Sequence, residues 1–156
     1  MTTVLFKNFT LTVDKELTQA TYSTVVKGDA ENCTCSDCKN YTACKDNAFP
    51  QEVKSLLALL GIDYLKECEV MRVQKGNDGL HSYIGSFHFK GSIKDDAHLL
   101  PLAVGEFTGM IPIGDRFSIG FQMADDFTYF IDTKSLVQVD FEVKMPWLLD
   151  KDLMKD

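Results

Sequence analysis

The stretch Asn32-Cys33-Thr34-Cys35-Ser36-Asp37-Cys38-Lys39-Asn40-Tyr41-Thr42-Ala43-Cys44 holds four of the five cysteines of this 156-residue chain. Its reading decides how the rest is organised. Thiolates are soft ligands for zinc, copper(I) and iron–sulfur clusters, and a Cys-x-x-Cys pair such as Cys35 and Cys38 can turn both sulfurs onto one ion. Cys33 stands two residues before Cys35, so an extended approach would project both side chains to one side. A structural zinc site needs a fourth ligand. Cys44 is the nearest candidate, with His88 as the alternative and Cys68, His81 and His98 behind them. The ferredoxin spacings do not match, because they need two or four residues where one separates Cys33 from Cys35. Two other readings of the trio stay open: unliganded thiols in a surface loop, and a redox dithiol.

Outward from this segment the pattern is largely β. Val4, Phe6, Phe9, Leu11 and Val13 alternate with polar residues, which predicts a strand with a bulge at Lys7-Asn8. The Thr-, Val- and Tyr-rich run from Ala20 to Val26 predicts its hairpin partner, turning at Asp14-Lys15. The cysteine segment itself has no periodicity and reads as an irregular loop. Pro50 then opens a helix in which Val53, Leu56, Leu57 and Leu60 recur at helical spacing and Gly61 supplies the stop. The apolar face of that helix must lie on a sheet, which places the cysteine loop at the sheet's end.

Beyond the helix, residues 69–74 read as a strand and Lys75-Gly76-Asn77-Asp78-Gly79 as a turn. Tyr83, Gly85, Phe87, Phe89 and Gly91 then share one face of the next strand, with His88 pointing away from it. Period-2 runs follow: Phe117, Ile119, Phe121, Met123; then Phe127, Tyr129, Ile131; then Val137, Val139, Phe141, Val143. Together they predict a three-strand antiparallel meander. The fold class read from these patterns is α+β, a mostly antiparallel sheet in sandwich or meander form. It carries one main helix near 50–60 and a metal-pinned cysteine loop. Residues 1–150 read as one domain and 151–156 as an acidic, solvated tail.

Composition narrows the function classes. A formal charge of −7 opposes phosphate backbones and makes nucleic acid an unsuitable partner. The first residues lack the apolar core of a signal peptide and no run reaches the 18 apolar residues of a membrane span, so the chain reads as cytoplasmic and not membrane-bound. In a reducing compartment five cysteines are metal ligands or free thiols sooner than disulfides. The histidines show no paired metal spacing, although a Cys–His couple can form in space. Asp95-Asp96 and Asp125-Asp126 read as solvated turn residues. Gly76-Asn77-Asp78-Gly79 lacks the lysine and helix of a phosphate-binding loop, and Trp147 after Pro146 reads as a core or edge plug.

The order Cys33-x-Cys35-x-x-Cys38-x-Asn40-Tyr41, Phe49-Pro50, Leu60-Gly61-Ile62-Asp63, Phe87-His88-Phe89-x-Gly91 and Pro146-Trp147-Leu148-Leu149-Asp150 resembles a group of small bacterial proteins with no assigned activity. The resemblance spans Cys33 to Asp150; the N-terminal hairpin matches only in type. It implies that three cysteines and the aromatic-His-aromatic element recur together while the Cys44 position need not be cysteine, which keeps His88 as an alternative fourth ligand.

Two functional classes are consistent with these features. One is a small zinc-stabilised protein-binding module, of a regulator, inhibitor or immunity type, that meets a partner protein with a basic surface and performs no catalysis. The other is a thiol-based sensor or metal-dependent enzyme using Cys33, Cys35 and Cys38.

Overall fold

A computed structural model describes residues 1–94, 100–101, 107–108, 110–124 and 128–154. In chain order it contains β1 (Thr2–Phe6), β2 (Phe9–Val13), α1 (Lys15–Ser23), α2 (Asp29–Asn32), α3 (Ser36–Ala48) and α4 (Gln51–Leu59). There follow β3 (Glu69–Lys75), β4 (His81–Ile93), β5 (Leu100–Pro101), β6 (Phe107–Thr108), β7 (Ile111–Pro112), β8 (Phe117–Met123), β9 (Leu136–Met145) and a short 3-10 turn (Lys151–Leu153). The α+β class is as the sequence pattern requires. A seven-stranded sheet runs β1-β2-β4-β9-β8-β7, with β3 also paired to β4, and every pairing is antiparallel.

The N-terminal half departs from expectation. The hairpin turns at Lys7-Asn8, with Phe6 opposite Phe9 and Lys7 at φ 54°, so the residues expected to bulge one strand instead separate two. The run expected as its partner is helical. Asp14 caps α1 by accepting from the Leu17 amide at 3.1 Å, and this places Thr18 and Tyr22 on one helical face. That face repairs a gap in the sheet. One edge of β4 is shared by β3, which stops at Ser86, and β2, which begins at Gly91. Between them the Tyr22 hydroxyl accepts from the His88 amide (2.9 Å) and donates to the His88 carbonyl (3.1 Å). Thr18 Oγ1 accepts from the Lys90 amide at 3.1 Å, and the Asp14 amide donates to the Lys90 carbonyl at 2.8 Å. The β propensity of these residues loses to the cap and to the unpaired backbone that the helix satisfies. Gly91 is required where β2 approaches, because a Cβ there would stand 1.8 Å from the Thr12 carbonyl oxygen.

Tyr22→Phe tests this repair. The ring contacts with Tyr129 and Phe130 survive, while a buried N–H and C=O of His88 lose their partner. A loss of about 2 kcal/mol is expected in urea unfolding; an unchanged midpoint would show that the strand edge needs no such cap.

Helix α4 forms as the spacing predicts. Pro50 stands at its N-cap, and Gly61 (φ 82°) ends it, with the Gly61 amide bonded to the Ala58 carbonyl and Ile62 to Leu57. Among the described residues it is one of four α-helices, however. Ser36–Ala48, expected as irregular, is the longest of them. The meander is corrected as well: β8 pairs directly with β9, from Phe117 opposite Val143 to Met123 opposite Val137. In the run expected between them, Phe127 lies outside the described residues. Tyr129 donates to the Glu67 carbonyl at 2.6 Å, and Phe130, not Ile131, is buried. Tyr129 and Phe130 thus pack on α1 and the Glu67 loop, and residues 128–131 form no strand. Asp95, Asp96, His98, Asp125 and Asp126 also lie outside the described residues.

The core sits between the sheet and helices α3 and α4. Phe87 and Phe89 of β4, Phe117 and Phe121 of β8, and Val139 and Phe141 of β9 meet Tyr41, Phe49, Val53, Leu56 and Leu57. His88 lies on the opposite sheet face, as alternation along β4 requires.

Candidate metal centre

Helix α3 begins inside the cysteine motif. Cys33 closes α2, and Cys35 is the N-cap of α3, its sulfur accepting from the Cys38 amide at 3.4 Å while its own amide donates to Cys33 Sγ at 3.5 Å. The first turn of α3 therefore folds Cys38 back over Cys35, and the extended residue Cys33 delivers the third sulfur. Cys33 and Cys35 Sγ are 3.2 Å apart, and all three sulfurs lie within 4.8 Å of one another. A tetrahedral ion with 2.3 Å bonds to sulfur needs separations of about 3.8 Å. The trio is close enough to hold a metal ion with little movement.

The thiols are not equivalent. Cys35 is exposed, Cys33 half-buried and Cys38 buried. The Cys35 amide, and then the neighbouring thiols, hold the Cys33 thiol below its ordinary range. Burial, followed by the hydrogen bonds with Cys33 and Cys35, pushes Cys38 far up. The helix N-terminus favours negative charge on all three, and a cation would resolve the conflict at Cys38 by replacing its proton.

The surrounding contacts fix this helix end. Arg72 Nε of β3 donates to Asp37 Oδ1 at 3.0 Å, Tyr83 of β4 donates to the Asp37 carbonyl at 2.8 Å, and Ser36 Oγ donates to the Leu153 carbonyl at 2.9 Å. Residues 151–153 of the acidic tail are exposed, and Leu153 thus touches the motif. One turn on, buried Asn40 donates to the Pro146 carbonyl (3.0 Å) and accepts from the Leu148 amide (2.8 Å). Trp147, held between them, is half-buried against His81, with ring centroids 5.2 Å apart.

The candidate fourth ligands stand elsewhere. Cys44 is six residues along α3 from Cys38, buried, with its sulfur 3.4 Å from the Pro146 carbonyl. Burial raises its thiol. The helix is the reason: a loop could have folded Cys44 back, whereas six residues of helix rise about 9 Å. His88 Nδ1 is 3.3 Å from Cys68 Sγ and its Nε2 is 3.2 Å from Gln138 Oε1. His81 is buried beside Trp147, and burial, then Arg72 and Lys75, lower its pKa. Among the described residues the grouping of three or more His, Cys, Asp or Glu ligand atoms is Cys33, Cys35 and Cys38 alone. Also among the described residues, no helix is long and apolar enough to cross a membrane.

Two features were not legible beforehand. Lys45 is buried with its Nζ 3.0 Å from Glu31 and 3.6 Å from fully buried Glu67, and nothing in the residue pattern marked Glu67 as interior. The Cys68–His88 contact joins residues twenty apart across β3 and β4, which only strand register could bring together. No protein-family model, curated protein or solved structure matches the chain.

Proposed function

We propose that this chain is a zinc-stabilised protein-binding module of the cytoplasm, in which Cys33, Cys35 and Cys38 hold the ion and a ligand from outside the trio completes its coordination. The observation that carries the reading is the convergence of three sulfurs on a helix end that β3, β4 and the C-terminal segment all anchor. Zinc suits thiolates that must be held without redox change. It would lock α2 to α3 and so order the surface between them. With a net charge of −7, a partner protein with a basic surface is the suitable one. Regulator, inhibitor and immunity-type roles share this chemistry.

A second reading is favoured by one feature: Cys44 and His88 contact other groups, and Cys35 of the trio is exposed. An open position is what a thiol-based sensor or a metal-dependent enzyme would use.

Elemental analysis of the freshly purified chain should find one zinc per molecule. Cys38→Ser should lose it, whereas Cys44→Ser should keep it. At free metal one hundred times Kd the ion adds about 2.7 kcal/mol, so chelation should lower the melting temperature by roughly 5–10 °C. Absence of stoichiometric metal, together with melting indifferent to chelator, would defeat the proposal. Rapid reaction of all three thiols in the metal-loaded protein would shift the balance to the sensor.

A further inference from the structure

A second sulfur centre stands apart from the trio. Cys68, just before β3, is half-buried, and its Sγ lies 3.3 Å from Nδ1 of His88 on β4. The proton positions follow from the groups behind the imidazole. The Asp140 carboxylate accepts from Gln138 Nε2 and from Gln122 Nε2, each at 2.7 Å. The Gln138 amide is thereby oriented with Oε1 toward His88 Nε2, at 3.2 Å, and must accept there. Neutral His88 then carries its proton on Nε2, which leaves the Nδ1 lone pair facing the Cys68 thiol. This is the nucleophile, base and orienting-group arrangement by which a weakly acidic nucleophile is activated. Strand register builds it, since His88 pairs with Gln138 across β4 and β9 and Asp140 follows on the same face.

We propose that Cys68 and His88 form a base-assisted thiol centre, independent of the cysteine trio, that reacts with small hydroperoxides. Partial burial selects for the smallest electrophiles. Burial also pushes the Cys68 thiol up to about 12, so little thiolate exists beforehand and proton removal must accompany attack. The Tyr129 backbone offsets part of that cost by favouring negative charge on the sulfur. In the step, Sγ attacks one peroxide oxygen, the S–O bond forms and the O–O bond breaks. The thiol proton passes through His88 Nδ1 to the departing hydroxide, giving water and a sulfenic acid on Cys68. Sulfur is oxidised by two electrons and the peroxide is reduced by two.

The test uses the full chain and hydrogen peroxide at neutral pH. After a quench with catalase, the protein is unfolded, its remaining thiols are alkylated, and the Cys68 peptide is quantified by mass spectrometry. Oxidation at least tenfold faster than in a synthetic peptide spanning Lys66–Arg72 is expected, whereas burial alone would make the native thiol slower. His88→Asn should remove the advantage while Cys44→Ser retains it. Because His88 is buried and its variant could unfold, the comparison of native chain with peptide decides by itself. A native rate at or below the peptide rate overturns the proposal, as does a folded His88→Asn protein with unchanged rate.

Discussion

Phe49→Ala should cost about 4 kcal/mol and lower the melting temperature on the order of 10 °C. Phe49 ends α3 and precedes Pro50, so its ring is the pivot between the two helices that cover the sheet. The centroid lies 5.0 Å from that of Phe117, 5.1 Å from Phe141, 6.2 Å from Phe87 and 5.9 Å from Tyr64. Three of these contacts are edge-on, the arrangement that adds to area burial. Alanine would leave a cavity bounded by three strands that are paired to each other and cannot collapse inward. Urea unfolding of the variant measures the loss. A cost below 1 kcal/mol would mean that the helices repack over the sheet and that the pivot is not there.

Glu67→Gln should abolish a pH dependence. The side chain is fully buried, and neither carboxylate oxygen has a hydrogen-bond partner among the described residues. Oε2 is pressed so closely on Gly28 that a Cβ there would stand 1.9 Å from it. Burial lifts the carboxyl to about 7, and the pull of Lys45 only partly opposes it. Below pH 4.5 both folded and unfolded chains hold the proton. Between 4.5 and about 7 the folded chain keeps a proton that the unfolded chain releases, so stability falls as pH rises through that window. At 1.36 kcal/mol per pH unit the whole loss is roughly 3 kcal/mol, complete above pH 7. Glutamine has no proton to lose, and Lys45 keeps Glu31 at 3.0 Å and the Leu65 carbonyl at 2.9 Å. The variant should therefore gain on the parent as pH rises from 5 to 8, by two to three kcal/mol at order of magnitude. Parallel stability curves for the two proteins would refute the assignment.

Legibility differed by element for physical reasons. Helix α4 was readable because its boundaries are local: Pro50 and Gly61 act through their own backbone, and four apolar residues mark one face. The strands β4, β8 and β9 were readable because alternation survives burial of one aromatic face. Helix α1 runs against its local pattern, because Thr and Tyr favour strands in isolation and the reason they are helical lies in a break in β4's pairing more than sixty residues away. Helix α3 is weakly marked in the sequence because polar residues share its buried face with Cys38, Tyr41 and Cys44. Asn40 binds the Pro146–Leu148 backbone and Lys45 binds Glu31, which breaks up the apolar pattern.

The same division runs through the candidate centre. The short spacing of Cys33, Cys35 and Cys38 by itself determined that their sulfurs could meet, since neighbours so near in the chain need only one turn and one extended residue to converge. Which further groups join them was a matter for the tertiary structure alone. The rise of α3 carries Cys44 away, and the register of β4 against β9 commits His88 to Cys68 and Gln138. Ligand sets closed by distant residues depend on packing, and packing is written in no single stretch of the chain.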